Sequence, residues 1–244
     1  MNERRFTVVD GPVVWLPFAN IDTDQIIPAR FLKQPRASGY GQYLFHDILC
    51  AGAAGEGASE GPGGGPGIVQ ALAGWRGAGA EILAAGDNFG CGSSREAAVY
   101  ALLDAGVRCV LAPGFGDIFR INCMKNGLLP VVLGRGAIVR LLTGYGGAGS
   151  VRLVVDLAAE LVRSAAATER FAIEAFWKEC LLLGIDEIDM TMRRMAGIER
   201  YATGRLAREP WLVPPAGDRG DPGDPACVIA GAGGSGPSDG PNRA

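Results

Sequence analysis

Between Gly86 and Leu102 the chain reads GDNFGCGSSREAAVYAL, which places Gly90, Cys91, Gly92, Ser93, Ser94, Arg95 and Glu96 in one unbroken run. Two glycines strip side chains from the turn, so backbone N–H groups can approach a ligand closely. Ser93-x-x-Glu96 reads as a capping box, with Ser93 as the N-cap of the helix that follows. A helix start needs one such hydroxyl, and Ser94 is a second. Arg95 sits where a cation opposes the helix dipole, at a cost of about 0.3–1 kcal/mol. A bound carboxylate or phosphate reverses that sign, and an Arg holds a carboxylate through two parallel hydrogen bonds. The chain has neither a GxxxxGK[ST] loop nor the third glycine of a dinucleotide fingerprint. From the residues alone, the turn is a site for a small anion.

The elements that must hold this turn are readable around it. Glu81–Ala85 (EILAA) is a short apolar run suited to a buried strand that ends at the turn. A helix is predicted over Ser94–Ala105, stopped by Gly106, and a strand over Val107–Ala112. A helix over Asp117–Asn126 follows, with Gly127 past its end, and then a strand over Leu128–Leu133. Strand, helix, strand, helix, strand with short connections implies a parallel α/β unit, and open sheets of this kind bind ligands at the carboxyl ends of their strands. Upstream, FTVVDGPVVWL (6–16) reads as two β-rich stretches around a Gly-Pro turn. Downstream come a short helix near Ala137–Thr143, a β-rich segment over Val151–Ile173, a helix over Glu174–Leu183 stopped by Gly184, and one longer helix over Asp189–Arg208. Residues 51–67 (AGAAGEGASEGPGGGPG) are low-complexity and expected to form a flexible loop. Beyond Leu212 the chain turns to Pro, Gly, Asp and Ser, so one domain over 1–212 and a disordered tail over 213–244 are expected.

The 244 residues carry a net charge of −3, which leaves no basic field for nucleic acid or an anionic membrane. No apolar run approaches the ~18 residues of a membrane span, and the N-terminus lacks a secretory pattern; a cytoplasmic protein is expected. None of the six cysteines (Cys50, Cys91, Cys109, Cys123, Cys180, Cys227) forms a CxxC pair, so no metal site is expected on this chain. His46 is the only histidine, and nothing around it resembles a Ser-His-Asp triad.

GDNFGCGSSRE, followed by APGFGDIFRINCMKNGLLPV, resembles the swivelling domain of the aconitase superfamily. ANIDTDQIIPARFL near the start and FAIEAFWKECLLLGIDEI near the end narrow the resemblance to the small-subunit family of the 3-isopropylmalate dehydratases. It implies an α/β fold, the swivel-type β/β/α domain with a partly parallel sheet and C-terminal helices. It implies a hydro-lyase of leucine biosynthesis that acts on a small dicarboxylate and is active only with its large subunit. The resemblance places the 4Fe-4S cluster on that partner, with no cofactor bound by this chain. It casts Ser93 as the general base on a substrate C–H, with Ser94 and Arg95 as contacts to a substrate carboxylate. Arg30, Phe31 and Leu32, in the loop after DTDQIIP, are expected to meet the substrate: Arg30 a carboxylate, Phe31 and Leu32 the alkyl group. Gly90, Cys91, Gly92, Glu96, Asp22 and Asp24 are expected to shape the loops. Where many relatives read SSREH, this chain has Ala97 after Glu96. A related hydro-lyase acting on another alkylmalate, dimethylmalate or a citraconate-type acid is therefore the alternative, and a stand-alone anion-binding module is a third reading.

Overall fold

Short runs of apolar β-formers make the strands of one sheet. The computed structural model describes residues 5–53, 72, 79–93 and 95–212. Within these, β1 (Val8–Leu16), β2 (Ile82–Ala85), β3 (Cys109–Ala112), β4 (Leu129–Val132), β5 (Arg152–Asp156), β6 (Leu161–Arg163) and β7 (Thr168–Arg170) lie in the order β4-β3-β2-β1-β5-β6-β7. Strands β1 to β4 pair in parallel, and β5 to β7 continue antiparallel from the other edge of β1. Strands β2 and β3 are buried at every position, because both sheet faces are covered.

The alternation of side chains divides the core in two. Leu83, Ala85, Val110 and Ala112 face one cluster, and Ile82, Ala84, Cys109 and Leu111 face the other. The first cluster includes Ala98, Val99, Ala101 and Leu102 of α3 (Glu96–Asp104) and Phe119 and Cys123 of α4 (Asp117–Asn126), the helices that connect β2 to β3 and β3 to β4. Both crossovers thus lie on one face. The second cluster takes Ile138 and Leu141 of α5 (Arg135–Leu141), Leu181 of α6 (Ala175–Leu183), and Leu153, Val155 and Val162 from the antiparallel strands. This arrangement sends the carboxyl ends of β1, β2 and β3 out on the same side, each into a short loop.

The structure corrects three sequence expectations. First, β1 is a single strand running through Gly11-Pro12 rather than two strands about a turn. It changes partners there, pairing with β5 up to Pro12 and with β2 from Val13. The Val13 N–H donates to Val151 O at 3.0 Å on the β5 side. Alternation then places the Pro12 nitrogen on the β2 side, before that ladder begins, so proline costs no ladder hydrogen bond. Second, residues 51–53 of the expected loop complete α2 (His46–Ala53), which follows the four-residue α1 (Thr23–Ile26). Third, the long C-terminal helix is broken into α7 (Glu187–Met192) and α8 (Met195–Arg208). Residues 54–67 of the expected loop, the tail from Val213 and Cys227 lie outside the described residues.

Two compact units divide between Met190 and Thr191. The first holds the sheet and both core clusters. In the second, α8 leads into a 3₁₀ turn at Pro210–Leu212, and Arg205 and Glu209 form a 3.0 Å ion pair one helical turn apart. Among the described residues no helix is long and apolar enough to cross a membrane.

Candidate active site

The Gly-rich loop after β2 is laid as a middle strand between its two neighbours. On the β1 side, Gly90 N–H donates to Ile21 O at 2.8 Å and Thr23 N–H donates to Cys91 O at 3.1 Å, with Asp22 and Cys91 bridged in parallel. On the β3 side, Phe89 N–H donates to Gly114 O and Gly116 N–H donates to Phe89 O, both at 3.0 Å. Two features make the turn specific to glycine. Gly90 and Gly92 have φ of +72° and +84°, the left-handed region. A Cβ on Gly90 would also lie 2.3 Å from the ring of Phe119, which is buried edge-on against Phe89 at a 5.6 Å centroid separation. Gly90→Ala should therefore cost about 2–5 kcal/mol, the sum of left-handed strain and overpacking. A denaturant midpoint within error of the wild type would contradict this packing.

The helix entrance differs from the expected capping box. Arg95, not Ser93, is the N-cap residue of α3, and its own side chain makes no capping hydrogen bond. The capping box forms instead at α1, where Gln25 N–H donates to Asp22 Oδ1 at 2.7 Å and Asp22 N–H donates to Gln25 Oε1 at 2.9 Å. Two contacts explain the shift. The hydroxyl of Thr23 donates to Ser93 O at 2.5 Å, which keeps Ser93 in the loop ladder. Glu96 accepts from Asn126 Nδ2 at 2.7 Å, and so does not fold back on the helix start. The first N–H groups of a helix have no partner within the helix and suit an anion.

Ser93 is exposed at the rim of this turn. Arg95 beside it is largely covered, its side chain 21% exposed, and it ion-pairs through Nη1 with Asp24 Oδ1. A guanidinium carries five N–H donors, so Asp24 and a second carboxylate can share it. Burial, reinforced by the Asp22 carboxylate, pushes the Cys91 thiol up, so it stays protonated at neutral pH. Ser94 lies outside the described residues.

The structure thus gathers Asp22, Asp24, Gly90, Cys91, Gly92, Ser93 and Arg95. Arg30, Phe31 and Leu32 belong to a second cluster. Arg30 Nη1 donates to Asp47 Oδ2 at 2.8 Å and its other amino group pairs with Oδ1. Phe31 stacks on Tyr43 at 4.2 Å between ring centroids and meets His46 edge-on. Phe31 and Leu32 are half-buried against the core that α3 also packs on. The Arg30 guanidinium holds the Asp47 carboxyl at about 2. Because that value lies below the ordinary one, the pair's stabilisation is present above pH ~4 and fades as pH falls toward 2. Both side chains are half exposed, which screens the pair and keeps it small.

Residues 3–136 match the aconitase C-terminal domain family. A 3-isopropylmalate dehydratase small subunit from Rhodospirillum rubrum is 42% identical over 210 residues, 86% of this chain and 97% of that one. One from Xanthobacter autotrophicus is 39% identical over 86% of this chain and all of its own length. The chain belongs to the 3-isopropylmalate dehydratase small-subunit family. A solved 3-isopropylmalate dehydratase structure from Methanocaldococcus jannaschii shares the fold, with a TM-score of 0.53 at 22% identity over 79% of this chain and 99% of that one. A small subunit of this family implies a large-subunit partner. Among the described residues, no three His, Cys, Asp or Glu side chains gather closely enough to hold a metal ion. The sequence reading of this small subunit missed Thr23 and Phe119, the two side chains that hold the turn from either side; the only local signal was the placement of Thr23 between two loop aspartates.

Proposed function

We propose that this chain is the small subunit of a cytoplasmic hydro-lyase that interconverts 2-isopropylmalate and 3-isopropylmalate in leucine biosynthesis, as a heterodimer with a large subunit that carries the 4Fe-4S cluster. The observation that supports this most is the turn itself: an exposed Ser93, a cation at Arg95 and the start of α3, presented by one hydrogen-bonded ladder. Ser93 Oγ, as the alkoxide, takes the proton from the substrate carbon beside a carboxylate. Arg95 binds a substrate carboxylate with its fork of donors, with Ser94 beside it. An alkoxide is basic enough for a carbon acid, and the nearby guanidinium and helix N-terminus lower the cost of its charge. Hydroxide leaves the adjacent carbon. Water then returns with the opposite regiochemistry, so the overall change is an isomerisation without net redox. Phe31 and Leu32 border the alkyl side of the substrate, and Arg30 meets a carboxylate.

Mixing the purified chain with the cluster-loaded large subunit tests this. Conversion of 2-isopropylmalate to 3-isopropylmalate is expected only when both subunits are present. Activity from this chain alone, or none in the reconstituted complex, would overturn it. Ala97 packs half-buried against the α3 core, in place of a polar neighbour of the loop. A panel of alkylmalates, dimethylmalate and citraconate therefore belongs in the same assay. Preference for one of these over isopropylmalate would select the alternative substrate.

A further inference from the structure

Among the described residues, Thr23 is the one aliphatic hydroxyl, amide or charged side chain that is buried, at 0% exposure. Its N–H and hydroxyl both tie down loop backbone, while its carbonyl closes α1. The N–H donates to Cys91 O at 3.1 Å, the hydroxyl donates to Ser93 O at 2.5 Å, and the carbonyl accepts from Ile27 N–H at 3.0 Å. The two loop carbonyls flank Gly92, whose Cβ-less backbone lets the adjoining peptides turn freely. The Cys91 contact fixes the chain before that pivot. Among the described residues, the hydrogen bond that holds Ser93 itself, just after the pivot and read above as the base, comes from the Thr23 hydroxyl.

We infer that Thr23 is a positioning residue for this reaction: by holding the Ser93 peptide, its hydroxyl sets the direction from which Ser93 Oγ meets the substrate. The inference rests on the reading of Ser93 as general base. It is distinct from a purely structural role, because the methyl of Thr23 supplies buried apolar surface while the hydroxyl supplies alignment. Losing alignment lowers the rate of the chemical step more than it weakens binding. Losing packing lowers the melting temperature instead.

The test uses the reconstituted two-subunit enzyme, with kcat, KM and melting temperature measured for each variant. Thr23→Val keeps the shape and removes the hydroxyl, so kcat should fall about ten- to a hundredfold with KM changed less than about twofold. Thr23→Ser keeps the hydroxyl and loses the methyl. It should melt below the wild type yet retain kcat within about threefold. Thr23→Ala, compared with Thr23→Ser, isolates the hydroxyl at equal loss of the methyl, and gives the same answer should the valine variant not fold. Activity that simply follows melting temperature across the series would overturn the inference. So would wild-type kcat in Thr23→Val or Thr23→Ala while Ser93→Ala is inactive. Full activity in Ser93→Ala would overturn the underlying reading, and the inference with it.

Discussion

Ser93→Ala should lower kcat of the reconstituted enzyme roughly 100- to 10,000-fold, the range of positioned general-base catalysis. KM should move little, since in this reading the substrate carboxylate is held by Arg95. Stability should also move little. Ser93 is exposed, and the contact that ties this residue to the fold uses its backbone carbonyl, which alanine keeps. Exposed substitutions of this kind stay within about 0.5 kcal/mol. Unchanged melting with collapsed turnover is thus the expected signature, read by steady-state kinetics beside a thermal scan. Retention of wild-type turnover would remove Ser93 from the chemistry and leave the turn as an anion site alone.

Arg95→Lys should raise KM about 10- to 100-fold, matching about 1.5–3 kcal/mol for hydrogen bonds to a charged group. Lysine keeps the positive charge and can still pair with Asp24, but it lacks the planar fork that grips a carboxylate with two bonds. Asp24 is half exposed, so its ion pair contributes only ~0–1 kcal/mol to folding. The variant should therefore fold normally and fail in binding. Substrate-concentration curves for the reconstituted enzyme separate the two effects. An unchanged KM would show that Arg95 serves Asp24 and not a ligand.

Much of the scaffold followed from local pattern. EILAA, VRCVLA and LLPVVL are short, mostly apolar runs separated by helix-length segments with glycine at their ends, and they became β2, β3 and β4 in the parallel part of the sheet. The helix over Asp117–Asn126 formed with the bounds its sequence predicts. Periods of 2 and 3.6 residues are local properties, and burial enforces them locally. The same locality explains the reading across α7 and α8. No glycine or proline stands at Arg193-Arg194, so the pattern there carries no break, and nothing in these side chains accounts for the one observed.

The sequence by itself therefore determined the order of strands and helices around the Gly-rich turn, and the presence there of two hydroxyls, a cation and bare amides. Tertiary structure decided what each of those groups touches. Pro12 lies inside a strand because β1 changes partners at that point. Arg95 meets Asp24 across 71 residues of chain, and Thr23 reaches Ser93 across 70. The expected box at Ser93 and Glu96 did not form, with the Ser93 carbonyl accepting from Thr23 and Glu96 accepting from Asn126, and a capping box formed at Asp22 instead. The contacts of Arg95 with Asp24 and of Thr23 with Ser93 depend on β1 and β2 lying side by side, and hydrogen bonds between loops so distant in sequence leave no periodic trace in either.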